Sequence, residues 1–376
     1  MKTSPDFVSP SSYVGSEAEP VNCLGPSGIQ PQQASTVVLA TTDGQATRWE
    51  EFVRAHPECT SYHQWNWKGV IEKSFGWSTF YLMAEDRAQV RGILPLVWQK
   101  SRIFGSFVTS MPFLNAGGIV AEDEFSRRAL LDEAIRIASK CKAQYVELRH
   151  RQNLGLDLPQ KTSKVTVVLP LRAEDQMWKA LDTKIRTKVR KSLSFKLTAE
   201  FGGKDFLDDF YTIFAENMRD LGTPVYAKNF FFNILEAFPR DVHICVVRKG
   251  DSPVAASFLI GHRDRIEAVW SSSIRKYLPL KPNMFLYWNL FCFAAGQGYK
   301  LFDFGRSTVG SGTHDFKLQW GAQTVPLYWD YWLPEGDSLP GLNTENPKYK
   351  WAIRAWQKLP VQLTRLLGPH IVRCLP

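Results

Sequence analysis

The run LFDFGRSTVGSGTHDFKLQWG, Leu301 to Gly321, concentrates residues that bind anions. A strand is expected over Leu301–Phe304, followed by a glycine turn that holds Arg306, Ser307 and Thr308. Gly310, Ser311, Gly312 and Thr313 then open a short helix carrying Phe316, Lys317 and Trp320. Glycines let backbone come close to a ligand. Free N–H groups at a helix start attract negative charge. Arg306 can fork onto a phosphate or carboxylate. Lys317 lies one helical turn beyond Thr313 and faces the same side. In acyl transfer such donors stabilise a tetrahedral oxyanion or a leaving group. The plainer alternative is a Gly/Ser-rich loop without a role.

Three other places carry candidate chemistry. The stretch Lys184–Lys191 reads as a helix with Lys184, Lys188 and Lys191 on one face and Arg186 and Arg190 together on another. Like charges at that spacing repel unless an anion neutralises them, so Arg186 and Arg190 are substrate-binding candidates; a solvated basic face is the alternative. The segment RDLGTPVY stops a helix at Gly222 and presents Thr223 and Tyr226 from a proline-fixed loop. Asp220 there could hold or deprotonate an amine, or merely cap or pair. The segment SMPFLNAGG presents Asn115 toward a cleft between domains, or forms a structural turn. Lys317, Arg306 and Asp220 are thus the catalytic candidates. Asn115, Tyr226, Arg186, Arg190 and the 307–313 loop residues are the binding candidates. No Ser/His/Asp set, metal cluster or classical phosphate loop is seen. An amine nucleophile needs no covalent enzyme intermediate, which agrees with that pattern.

The elements that must position these residues read as α/β with mixed sheets. A leader rich in Pro, Ser, Gly and Gln occupies residues 1–35 and reads as disordered. A first domain is expected over 36–161. It has helices at Arg48–Ala55 and His63–Phe75 and a hairpin of Phe80–Glu85 with Val90–Trp98. An amphipathic helix, Phe125–Lys142, and a strand, Tyr145–Leu148, complete it. A second domain is expected over 162–335. Its elements are a strand Val165–Leu169, helices at Asp175–Leu193, Asp205–Leu221 and Lys228–Phe238, and strands at Val242–Arg248, Val254–Gly261 and Ile266–Ser272. A buried helix Asn283–Gly296 and strands Leu301–Phe304 and Pro326–Trp332 follow. Both halves share one rhythm of helices, hairpin, helix and strand, as in a tandem of related units.

The chain has 376 residues, a formal charge of +9, 22% charged and 44% hydrophobic residues, as in a globular protein. The charge favours anionic partners: a phosphate-bearing donor or acceptor, tRNA, or an anionic membrane face, with no DNA. The six cysteines show no paired spacing and read as reduced thiols. No signal peptide or membrane-spanning run is visible, so a cytoplasmic protein, peripheral at the inner membrane, is expected. Neither a metal nor a tightly bound cofactor is expected. The tail, 336–376, interleaves Trp and Leu with Lys and Arg. It can dock on an anionic membrane face or pack on its own domain.

The joint order of three motifs resembles the FemAB family: KIRTKVRK at 184–191, NMRDLGTP at 217–224, and FDFGR at 302–306 with FKLQWG at 316–321. The FemAB-like proteins associated with PEP-CTERM/exosortase exopolysaccharide systems are the nearest pattern. The resemblance implies tandem GNAT-like domains. It also implies transfer of an acyl or aminoacyl group to an amine of a cell-envelope or exopolysaccharide precursor. Lys317 matches the lysine of a related Phe-Lys motif near the family's transfer site, and Arg186, Arg190 and Arg306 match its phosphate-contacting basic groups. The chain departs from ordinary GNAT enzymes in lacking their Gly-rich CoA-pyrophosphate loop, and from some FemAB members in lacking the helical arm that binds tRNA. Acyl-CoA and aminoacyl-tRNA both stay open as donors. The other reading is a non-catalytic GNAT-fold binding module of a polysaccharide or protein export complex.

Overall fold

The computed structural model describes residues 37–101, 105–335, 339 and 347–374. The expected leader, and tail residues 336–338, 340–346 and 375–376, lie outside the described residues.

The first half opens with strand β1 (Val37–Ala40), then helices α1 (Ala46–Ala55) and α2 (Trp67–Phe75). Strands β2 (Ser78–Asp86), β3 (Gln89–Ser101), β4 (Gly105–Thr109) and β5 (Val120–Ala121) follow. Helix α3 (Glu124–Lys140) starts at Asp123, whose carboxylate accepts from the Ser126 N–H, and leads into β6 (Val146–His150) and β7 (Gln160–Lys161). The second half runs through β8 (Lys164–Pro170), α4 (Glu174–Ala180), α5 (Thr183–Leu193), β9 (Leu197–Gly202), α6 (Leu207–Leu221) and α7 (Lys228–Ala237). Then come β10 (Val242–Lys249), β11 (Ser252–His262), β12 (Arg265–Ser273), α8 (Pro282–Gly296), β13 (Leu301–Thr308) and α9 (Gly312–Leu318). Strands β14 (Gln323–Pro326) and β15 (Tyr328–Trp332) and helices α10 (Pro347–Gln357) and α11 (Val361–Val372) close the described chain.

The two sheets repeat one plan. The first is ordered β1-β2-β3-β4-β6-β15-β7, with β5 beside β3; the second is β9-β10-β11-β12-β13-β8-β14. Place by place the directions agree. Four antiparallel strands lead to one parallel pair, β4–β6 or β12–β13, and two antiparallel strands finish the edge. A parallel pair needs a crossover, and α3 and α8 supply it.

Strand β15 lies in the first sheet, although its residues fall in the segment expected to form the second domain. Only Leu327 separates β14 in one sheet from β15 in the other, and its N–H donates to the Lys164 carbonyl at 3.1 Å. The other passage, between β7 and β8, is the pair Thr162–Ser163. The two halves are therefore stitched at neighbouring points.

Two local expectations change. The helix expected over 175–193 is two helices, because Asp182 turns its carboxylate onto the Lys184 N–H at 2.7 Å and caps a new start. The strand expected to end at Phe304 runs to Thr308, so Arg306, Ser307 and Thr308 stand in a strand rather than a turn.

Alternation along β12 and β13 assigns their faces. Ile266, Ala268, Phe302 and Phe304 join the core beneath α4, α5 and α8. Glu267 and Asp303 point the other way, toward the first half. On that side α6 and α7 pack with α2 and with Tyr62, Met111 and Leu114 into one continuous core. Its centre is aromatic: Phe231 lies edge-on to Phe210, Phe214 and Trp270, with centroids 5.0–5.3 Å apart. Arg263, in the β11–β12 turn, caps the end of α1 across the halves by donating to the carbonyls of Arg54 and His56 at 2.9 Å each. The tail helices pack on α6: Ile353 fills the space above Gly222, and Gly368 lies against Val225.

Because Phe231 is fully buried at the seam, Phe231→Ala should lower unfolding stability by about 3–5 kcal/mol. Urea denaturation checks this; a loss below about 1 kcal/mol would mean that the seam is not a packed core.

Candidate active site

The parallel pairing of β12 with β13 lasts three rungs: Arg265 with Leu301, Ile266 with Phe302, and Glu267 with Asp303. Beyond the third rung both strands shift register against their other neighbours, β12 near Val269 and β13 between Asp303 and Arg306. Gly305 turns this corner at φ 71°; a Cβ there would stand 3.0 Å from the Ala268 carbonyl oxygen.

The corner is held by two charged groups. The Asp303 carboxylate, 1% exposed, accepts from the Gly305 N–H at 2.9 Å, from Arg265 at 3.2 Å and from the Thr166 hydroxyl. Lys317 reaches in from α9, and its Nζ donates to the Gly305 carbonyl at 2.8 Å and the Arg306 carbonyl at 3.0 Å. Burial pushes the Lys317 amine down to about 8; Asp303 and Glu267 oppose that shift, and Arg306 adds to it.

Glu267 shares the last rung with Asp303. Asn115 donates to its Oε1, and its buried Oε2 has no hydrogen-bond partner among the described residues. Arg151 stands off at 3.8 Å from Glu267 and 3.7 Å from Asp303. Burial first, and the Asp303 charge second, push the Glu267 carboxyl up to about 7. Tyr62, fully buried against it, has its phenol pushed well above the usual range by burial and by Glu267.

The first sheet offers a counterpart. Its parallel pair ends on Thr109 with Glu147, as the second ends on Glu267 with Asp303. Glu147 accepts from Arg149 Nε at 2.5 Å and from the Tyr331 hydroxyl at 2.8 Å. The Arg149 guanidinium lies over the Trp329 ring at 4.4 Å, and Arg306 over the same ring at 5.0 Å. Arg306 is exposed, and among the described residues no carboxylate or carbonyl takes its guanidinium. Yet protein surrounds it closely: desolvation lowers its pKa, and Arg149 lowers it further. Cavities of about 100 Å³ and about 140 Å³ share Thr60 and Arg151 as walls. One adds His63, Gly118 and Arg149; the other adds His262, Arg265 and Glu267.

Four of the expected residues meet here. Arg306 and Lys317 stand at the corner, Asn115 is bonded to Glu267, and Tyr226 is close enough for Arg306 and Arg149 to pull down a phenol that burial has pushed up to about 12. The others stand elsewhere. Asp220 ends α6 in an ion pair with Arg219 at 2.6 Å and touches the tail through Gln357. Arg186 and Arg190 lie on α5, which packs on α8 behind the second sheet. Arg186 donates to Thr183 and Arg190 covers Trp178. The Ser307 hydroxyl is buried without a partner, and Thr308 accepts from Lys164 at 2.7 Å. The turn Gly310, Ser311, Gly312, Thr313 is largely closed on itself. The Ser311 hydroxyl donates to the Thr308 carbonyl at 2.7 Å and takes the His314 N–H, while the Gly310 N–H goes to His314 Nδ1. The turn thus spends these donors on itself.

Sequence reasoning missed Glu267, Asp303, Arg149, Arg151 and Trp329. The signal available was a lone acid in an apolar run, as in IEAVW at 266–270.

Residues 180–318, which span α5 to α9, match the family model of an acetyltransferase (GNAT) domain. Among solved structures, FemX superposes with a TM-score of 0.62 at 16% identity, covering 78% of this chain and 96% of that one. The C-terminal domain of a putative lysylphosphatidylglycerol synthetase from Agrobacterium fabrum gives 0.52 at 12%, covering 77% and 92%. A conserved protein of unknown function from Bacteroides thetaiotaomicron gives 0.51 at 11%, covering 80% and 100%. No curated protein sequence matches the chain. The fold is mixed α/β with GNAT-like sheets in tandem, and the chain carries an acyltransferase domain.

A carboxyl raised on folding stabilises the protein below its unfolded pKa and loses that contribution as pH rises through its folded value. With Glu267 at about 7 against an ordinary 4.5, Glu267→Gln should raise the melting temperature relative to wild type at pH 8 more than at pH 5. Differential scanning fluorimetry at both pH values reads this; an equal change at both would contradict the buried, ionisable Glu267.

Proposed function

We propose that the protein transfers an acyl or aminoacyl group to an amine of a cell-envelope or exopolysaccharide precursor, in the cleft between its two sheets. It would do so in the cytoplasm, at the inner membrane. The observation that supports this best is Glu267: a buried carboxylate with its pKa near neutrality, beside Asp303 and 3.8 Å from Arg151.

A general base works best with a pKa near the working pH. Glu267 takes a proton from the acceptor's ammonium group. The freed amine attacks the donor's carbonyl carbon, a C–N bond forms, and the C–S bond of a thioester or the C–O bond of an ester breaks. As the intermediate collapses, the nitrogen's second proton passes to the leaving sulfur or oxygen, and Glu267 releases the first to solvent. Arg306, preorganised over Trp329, meets negative charge on the donor, either a phosphate or the developing oxyanion. Lys317 acts through position: with two of its three N–H bonds on backbone carbonyls, it fixes the corner that aims Arg306. Both donors, acyl-CoA and aminoacyl-tRNA, bring a phosphate and an activated carbonyl. The cations Arg149, Arg151 and Arg306 suit either.

The test separates binding from chemistry. Acetyl-CoA and a charged tRNA are each titrated against the melting temperature, because a ligand of the folded state raises it. One of them should shift wild type and Glu267→Gln alike, and Arg306→Ala much less. Turnover with that donor should fall by about 10²–10⁴ in Glu267→Gln. The wild-type rate should rise with pH through about 7. Unchanged turnover in Glu267→Gln would remove it as the base. A shift retained in Arg306→Ala would move the donor site elsewhere.

A further inference from the structure

We propose that α11, with Trp351 of α10, is a docking surface for an anionic phospholipid bilayer, on which the protein lies without crossing it. This inference stands apart from the transfer reaction.

Helix α11 carries two different apolar faces. Thr364, Gly368 and Val372 are buried. A Cβ on Gly368 would come within 2.8 Å of the Val225 backbone, so this face is seated as closely as glycine allows. Arg365 covers the Tyr211 ring at 4.9 Å, and Arg373 donates to the Phe75 carbonyl at 3.3 Å. The helix is therefore fixed in orientation by contacts with both halves. Its other face is Leu363, Leu366, Leu367 and Ile371, spaced as one helical stripe and all exposed, Leu366 at 65%. On α10, Trp351 is 73% exposed, opposite the face on which Ile353 packs. Single exposed apolar residues are ordinary; an anchored helix that turns four of them outward on one stripe is not.

Charge selects the occupant. Residues 341–376 hold six Lys or Arg against a single acid, Glu345; of these, Arg354 and Lys358 are exposed on the Trp351 side of α10. A second copy would bring the same basic surface, on a chain already at +9, against itself. An anionic headgroup layer answers both features: basic side chains meet phosphates while leucines and a tryptophan enter the acyl boundary. With 12 residues, α11 is too short to span a bilayer, and no helix among the described residues is long and apolar enough to do so.

The test is co-sedimentation of the full-length protein with vesicles of phosphatidylcholine alone, or of phosphatidylcholine with phosphatidylglycerol. Binding to the phosphatidylglycerol vesicles is expected, weakened but not abolished by salt. Leu366→Glu should weaken it about tenfold or more, because it puts an acid on the inserting stripe. Trp351→Ala gives a second, smaller loss, and Arg354→Glu with Lys358→Glu a loss confined to anionic vesicles. Leu366 is exposed, so its variant should keep the wild-type melting temperature; if it does not, Trp351→Ala and the Arg354/Lys358 variant decide the question. Glu267→Gln should bind vesicles as wild type does, which keeps this result separate from the fate of the transfer mechanism. No sedimentation with either vesicle, binding unchanged in these variants, or a concentration-dependent dimer lost in Leu366→Glu would each overturn the proposal.

Discussion

Everything at the centre of this molecule depends on how soon β12 and β13 part. Parallel strands joined by a helix can stay paired for their whole length; here they separate after three rungs. The separation is enforced. Gly305 accepts a conformation other residues resist, Asp303 ties the turned N–H, and Lys317 ties the turned carbonyls. A carboxylate is thereby buried in a strand, with an ammonium from α9 buried against the same corner. Burying charge costs several kcal/mol unless partners offset it, and here Arg265, Thr166 and the turned backbone groups hold both.

The opposing sheet makes the corner a site. Its own parallel pair ends on Glu147, and Arg149 and Trp329 stand over the gap that Arg306 enters. Trp329 comes from β15, which reaches the first sheet only because the chain leaves the second sheet at Leu327. The crossing of β15 thus sets Trp329 of the first sheet against Arg306 of the second. The aromatic core around Phe231 packs the two halves together.

Much of this was legible in the sequence. The hairpins, the amphipathic α3, the buried α8 and the repeated rhythm all follow from apolar period and turn residues, and they emerge within a few residues of their expected ends. Arg306, Lys317, Asn115 and Tyr226, which the fold brings together, stand out in the sequence because glycine-rich or proline-fixed segments next to a strand or helix end advertise loops. The remainder was hidden for physical reasons. Edge strands β9 and β14 are half-exposed and too mixed in polarity to show a period. The home of β15 is a long-range pairing that local pattern does not encode. Glu267 is one acid in a strand, and its meaning comes from Asp303 across the rung and from burial. Arg186 and Arg190, by contrast, look like a ligand site in one dimension and sit on the far side of the sheet in three.

The most direct measurement is a crystal structure with a non-hydrolysable analogue of whichever donor binds. Its carbonyl carbon should lie between the sheets, within reach of an amine hydrogen-bonded to Glu267, with a donor oxygen on the Arg306 guanidinium. A carbonyl bound instead on the outer face, beside Arg186 and Arg190, would contradict the mechanism.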